Sequence, residues 1–158
     1  MIKNAVFVEQ ILSNKRGAPA QVGYDLTIKD IKYLKGLCSI GIKENTLPEY
    51  LSLFPTENKW CLNNGVYSCT FNEGGKIPPK HAGIFKTRSS LVRCGVIIES
   101  GLYDPNFECL NFGAMVFINN PHGSIIIEKD SRVAQLLLFE TEASDLYNGQ
   151  YQGEKDKK

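Results

Sequence analysis

No stretch of the 158-residue chain stays apolar for long. The N-terminal residues 1–12 begin that way, but Glu9 and Gln10 cut the run well short of a signal-peptide core or a membrane span. Charge of one sign is also missing: 18 Lys and Arg against 17 Asp and Glu leave a formal +1, so no global basic field exists to hold a nucleic-acid duplex. Cysteine pairs are absent too. Cys38, Cys61, Cys69, Cys94 and Cys109 are odd in number and form no CxxC, which argues against a disulfide framework and against a zinc site. A soluble protein with reduced thiols in the cytoplasm is expected. There is no internal repeat, and hardly any helical period.

What the chain has instead is many short β-type runs with a turn signal every ten or so residues, the pattern of an all-β fold in a single domain over residues 1–150. Residues 5–12 leave strand and helical turn both open. Val22-Gly23-Tyr24-Asp25-Leu26-Thr27-Ile28 reads as a strand, with Asp25 among apolar neighbours as either a structural carboxylate or a functional one. Residues 29–60 read as an irregular insert with one short helix near residues 49–53. Val66-Tyr67-Ser68-Cys69-Thr70-Phe71 alternates as a half-buried strand does, and Asn72-Glu73-Gly74-Gly75 is a turn. Further strands are expected at residues 112–118, 124–127 and 131–139. The charged tail, residues 151–158, is expected to be mobile.

Residues 82–107 carry the densest chemistry. Thr87-Arg88-Ser89-Ser90-Leu91, with Arg93 close behind, gathers guanidinium and hydroxyl donors suited to phosphate oxygens. Tyr103-Asp104-Pro105-Asn106-Phe107 supplies a carboxylate and an aromatic, and Val96, Ile97 and Ile98 form a short buried strand between the two. An anion site held apart from a carboxylate and an aromatic face is a frame for a nucleotide. Asp104 is equally compatible with a capping role in a turn before Pro105. Gln135, in the last apolar run, must satisfy its amide on a neighbour or on a ligand.

These motifs resemble the successive signatures of the trimeric dUTPase and dCTP deaminase superfamily, with the RSSL and RVAQL segments the most specific. Arg16-Gly17 through Leu26 resembles the first motif, residues 87–91 the second, Gly101-Leu102-Tyr103-Asp104 with Phe107 the third, and Ser131-Arg132-Val133-Ala134-Gln135-Leu136 the fourth. Tyr147-Asn148-Gly149-Gln150-Tyr151-Gln152-Gly153 is similar to the ending of dCTP deaminases and archaeal-type dUTPases. The resemblance implies a β-clip or jelly-roll-like protomer in a homotrimer with active sites between subunits. It implies that Arg88, Ser89, Ser90 and Gln135 grip a deoxynucleoside triphosphate, with Arg93 alongside. Phe107 would pack on the deoxyribose, and Tyr151 and Gln152 would close over it. Asp104 would be the catalytic base, and Asp25 would steady Mg²⁺ through water.

The superfamily divides by reaction. Its deaminases carry a Glu on the strand after the third motif, where Phe112-Gly113-Ala114-Met115-Val116-Phe117 offers no carboxylate here. Without a positioned acid and base, deamination loses a factor of roughly 10²–10⁴. The expectation is therefore a Mg²⁺-assisted dUTP diphosphatase. The alternatives are a dCTP deaminase, a bifunctional enzyme with a displaced acid, or a catalytically weak nucleotide-sensing protein.

Overall fold

The computed structural model describes residues 1–142 and 145–153. A short helix, α1 (Ala5–Gln10), starts the chain, with the Asn4 side chain capping it by accepting from the Phe7 N–H at 3.0 Å. Strands follow: β1 (Ala18–Pro19), β2 (Tyr24–Lys35), β3 (Ser39–Ile40), β4 (Asn45–Thr46), β5 (Glu49–Leu53), β6 (Lys59–Leu62), β7 (Gly65–Phe71), β8 (Gly75–Lys76) and β9 (His81–Thr87). A single helical turn, α2 (Ser89–Val92), leads to β10 (Val96–Glu99), β11 (Glu108–Cys109), β12 (Gly113–Ile118), β13 (Ile125–Glu128) and β14 (Arg132–Glu140). The all-β expectation holds.

The main sheet runs β10-β12-β7-β2-β14-β9, entirely antiparallel. The long β2 makes this possible. Its first half pairs with β14 and its second half with β7 and β5, and the register shift between Ile28 and Asp30 marks where it passes from one set of partners to the other. At the far ends, β9 and β10 are joined by a side chain. Thr87 Oγ1 accepts from the Ile98 N–H at 2.7 Å and donates to the Ile98 carbonyl at 3.1 Å, which gives the sheet its barrel-like closure. Inside lie Tyr24, Leu26, Ile28, Phe71, Phe85, Ile98, Phe112, Val116, Leu136 and Leu138, all essentially without solvent contact.

Two expectations are corrected. Residues 49–53 form a strand, because the extended second half of β2 offers a five-residue ladder from Ile31↔Leu53 to Lys35↔Glu49. Tertiary pairing outweighs the helical look of so short a window. The insert is accordingly an ordered ribbon and not an irregular loop. Val96, Ile97 and Ile98 are not uniformly buried either: Val96 and Ile98 face the core, and Ile97 points outward. Of the undecided residues 5–12, Ala5–Gln10 are helical and Leu12 forms a β-bridge with Gly75. The apolar side chains of Val133, Ala134, Leu136 and Leu138 are spent within the protomer.

One buried charge organises the edge that carries Asp25. Glu73, fully buried, accepts from the Gly17 N–H, the Thr27 N–H and the Thr27 hydroxyl, each at 2.8 Å. Asn72 extends the network to Thr27 Oγ1 and to Asp130, and Asp130 pairs with Arg16 at 2.7 Å. The Arg16-Gly17 loop is pressed so closely on β2 that a Cβ at Gly17 would lie 1.7 Å from the Asp25 carbonyl oxygen. Glu73→Gln keeps the shape but turns an amide N–H₂ toward these donors. It is expected to cost about 2–3 kcal/mol, the worth of a hydrogen bond to a charged group plus an unsatisfied partner; a lower urea midpoint with unchanged slope checks this.

Candidate functional site

The residues singled out in the sequence gather in two places. The first is a polar cleft of about 260 Å³ lined by Ala20, Gln21, Asp25, Lys86, Thr87, Arg88, Ser89 and Gln135. Asp25 sits at its base, 5% exposed and paired on β2 with Gln135 of β14. Its Oδ2 faces Arg88 Nε at 3.4 Å and Arg132 at 3.5 Å, and its Oδ1 accepts from Gln135 Nε2 at 3.2 Å. A β-bulge at Val133 shapes the cleft, and the Val133 carbonyl accepts from the Arg88 N–H at 3.1 Å. Asp25 thus holds two guanidiniums at the mouth of a donor-rich cleft. Ser90 and Arg93 lie on and just after α2, exposed, and line neither cleft nor cavity.

The second place is a cavity of about 510 Å³, within the range of small-molecule sites. Its floor is one face of the sheet, where Glu99, Met115, Ser68 and Lys32 follow one another in register across β10, β12, β7 and β2. The third-motif turn, including Tyr103, Asp104 and Phe107, makes one wall, with Tyr147 and Tyr151 beside it. Tyr103 braces that turn: its backbone pairs with Gly83 of β9, and its hydroxyl donates to the Gly113 carbonyl at 2.5 Å. Burial, with lesser contributions from Cys109 and Cys69, pushes the Tyr103 pKa upward, so the phenol stays a neutral donor. Burial also pushes the Cys69 thiol, on the core face of β7, up to about 12, which keeps it protonated and unreactive at neutral pH.

Phe107 is buried, stacking on Tyr103 (5.2 Å) and Tyr147 (5.5 Å), and still lines the cavity. Asp104 is half-buried, and among the described residues its carboxylate has no hydrogen bond or ion pair; only its backbone carbonyl is engaged, by the Phe107 N–H. A turn-capping side-chain bond is not observed. The C-terminal segment folds back onto this turn in the same chain. Tyr147 N–H donates to Pro105 O, Gly153 N–H to Glu108 O, and Gln152 Nε2 to Asn106 O. Lys155, Lys157 and Lys158 lie outside the described residues.

The cleft and the cavity share no lining residue. Tyr103 pairs with Gly83, which lies five residue steps before Arg88, about 16 Å along the extended chain. Sequence reasoning missed Arg132 and Glu73 as parts of this arrangement. Arg132 could have been found, since it precedes the Gln135 segment and would flank any anion there; Glu73 gave no signal beyond its place in a Gly-rich turn. It also missed the insert: Lys32, Leu47 and Tyr50 are among the residues that line the cavity.

Comparison with known proteins places the fold and the family. Among solved structures, the 2'-deoxycytidine 5'-triphosphate deaminase of Agrobacterium tumefaciens superposes with a TM-score of 0.66 at 16% identity, covering 90% of this chain and 48% of that one. The EIAV dUTPase superposes with a TM-score of 0.58 at 12% identity, covering 89% and 95%. At such identities these establish the fold, a dUTPase-type jelly roll. In sequence, the chain is 32% identical to the probable deoxyuridine 5'-triphosphate nucleotidohydrolase of Methanosarcina acetivorans over 99% of this chain and 90% of that protein. It is 30% identical to the deoxyuridine 5'-triphosphate nucleotidohydrolase of Methanocaldococcus jannaschii over 84% and 86%. With the family model matching residues 3–141 as well, the chain belongs to the dCTP deaminase-like family.

Proposed function

We propose that this protein hydrolyses dUTP to dUMP and pyrophosphate, with Asp104 as the base that deprotonates the attacking water. The observation that carries the reading is the Asp104 carboxylate, unengaged among the described residues and lining a nucleoside-sized cavity. The water oxygen bonds to the α-phosphorus, its proton passes to Asp104, and the bond to the bridging oxygen breaks to release pyrophosphate. The names of the full-length relatives favour the same substrate. Phe107 packs against the deoxyribose, where a 2'-hydroxyl has no room, and Tyr151 and Gln152 close the cavity.

Arg88, Ser89 and Gln135, which line the polar cleft, bind the triphosphate there. No group of three His, Cys, Asp or Glu that could hold a metal occurs among the described residues. Mg²⁺ suits a triphosphate and one or two carboxylates while keeping several waters. Asp25 fits that part: three of about four lone-pair sites on its carboxylate are taken, leaving one for a metal-bound water. Bound there, Mg²⁺ would offset the charge that builds on the phosphates.

Cleft and cavity share no lining residue within a single chain. A homotrimer in which one copy's cleft meets another's cavity joins them on one nucleotide. It is supported by a second observation: Ile97, Phe117 and Val66 stand in register on β10, β12 and β7, each more than two-fifths exposed. No described helix is long and apolar enough to cross a membrane, and five free cysteines suit the cytoplasm.

A second reading has one observation behind it. Glu99 also lines the cavity, so a carboxylate is within it besides Asp104, although β12 itself presents only Gly113, Ala114 and Met115 there. Ammonia released from dCTP, and lost in Glu99→Gln, would assign deamination to this site instead.

Asp104→Asn retains size but accepts no proton, so dUTP turnover is expected to fall by about 10²-fold or more while nucleotide binding survives; hydrolysis at the parental rate would remove Asp104 from the role of base. Arg88→Ala is expected to weaken triphosphate binding by about 1.5–3 kcal/mol, read by calorimetry with a non-hydrolysable analogue. Analytical ultracentrifugation should find a trimer, and Phe117→Lys should dissociate it and abolish turnover; a fully active monomer contradicts the shared site.

A further inference from the structure

The turn that carries Asp104 is held by the end of the same chain. Pro105 and Asn106 are its central residues, and the Phe107 N–H closes it on the Asp104 carbonyl at 3.1 Å. Asn106 has φ +73°, in the left-handed region, and behind a proline that makes this a type II turn. The commoner type I turn differs by turning over the peptide between Pro105 and Asn106, and it would relieve Asn106 of that conformation. Something must hold the turn as it is. The five carbonyls from Asp104 to Glu108 are all engaged, and three of them by residues 147–153: Pro105 by the Tyr147 N–H at 2.8 Å, Asn106 by Gln152 Nε2 at 2.8 Å, and Glu108 by the Gly153 N–H at 2.9 Å. Gln152 contributes twice, since its Oε1 also accepts from the Glu108 N–H at 3.3 Å. Its amide thus bonds the main chain on both sides of Phe107, as one residue of a paired strand would. Tyr147 and Tyr151 line the cavity, and Gln152 does not.

We propose that Gln152 is a positioning residue for Asp104: its amide keeps the turn in the form that sets the carboxylate into the cavity. The inference rests on the reading of Asp104 as the base. Gln152 closes the cavity through the turn and not through a bond to the nucleotide. Without its amide, the Asn106 carbonyl and the Glu108 N–H turn to water, and the left-handed Asn106 is free to relax. Phe107 stays in its aromatic cluster with Tyr103 and Tyr147, its carbonyl still held by the Ile77 N–H, so the displacement falls on Asp104. A reacting group displaced by about 1 Å costs up to about 10²-fold in rate. The polar cleft that grips the triphosphate is untouched by the change.

The test measures kcat and KM for dUTP in the full-length protein, in Gln152→Ala and in Gln152→Glu, with calorimetric binding of a non-hydrolysable dUTP analogue and circular dichroism as the fold check. Both variants are expected to lower kcat about 10-fold or more while the analogue's Kd stays within about threefold of the parent. Gln152→Glu keeps the length and the acceptor for Glu108 but sets a carboxylate against the Asn106 carbonyl, so size alone does not rescue. Amide hydrogen exchange at Glu108 quickens in Gln152→Ala, because its acceptor is gone. A folded Gln152→Ala with the parental kcat overturns the proposal. So does an analogue Kd weakened about 10-fold with kcat retained, which makes Gln152 a nucleotide contact instead. If Gln152→Ala does not fold, Gln152→Glu decides by the same readings. A parent that leaves dUTP intact overturns the diphosphatase reading itself; a parent that hydrolyses it beside variants of equal kcat overturns the role of Gln152 alone.

Discussion

A single buried carboxylate, Glu73, sets the geometry on which the polar cleft depends. Its oxygens accept three hydrogen bonds from Gly17 and Thr27, donors that cost free energy if left unpaired away from water. Gly17 is thereby held against the Asp25 backbone, and β2 is held in the register that sets Asp25 opposite Gln135. Asp25 in turn fixes two guanidiniums through its own carboxylate. Charge is used here as scaffolding: an anion outside the cleft positions the anion inside it, and that anion positions the cations that face solvent.

The other half of the site is built by aromatic packing. Tyr103, Phe107, Phe112 and Tyr147 form a contiguous cluster under the third-motif turn, and Phe85 joins it to β9. This leaves Asp104 on a rigid support with its carboxylate uncommitted, the condition a general base requires. The cleft and this cavity draw on different residues, and the two linings meet only across the seam where Thr87 bonds to the Ile98 backbone.

Much of this was legible in the sequence, and the rest was not for definable reasons. The strand at Val66–Phe71 announced itself by alternation and that at Arg132–Glu140 by its apolar run, and the donor-rich turn at Arg88 and the carboxylate at Asp104 by side-chain chemistry. The ribbon at residues 29–53 was illegible because its hydrogen bonds come from a partner strand, and no local window of Glu49–Leu53 contains that partner. Glu73 was illegible because a glutamate in a Gly-rich turn looks solvated until the chain closes over it. The cavity contribution of Lys32 and Tyr50 depended on the same ribbon and was lost with it.

The most direct test of the central claim is to incubate the Mg²⁺-supplemented protein with dUTP, and separately with dCTP, in ¹⁸O-water and to identify the products by mass spectrometry. The account predicts dUMP carrying one ¹⁸O on its phosphate, unlabelled pyrophosphate, and no ammonia from dCTP. Label in pyrophosphate, ammonia from dCTP, or bound but unconverted dUTP would contradict it.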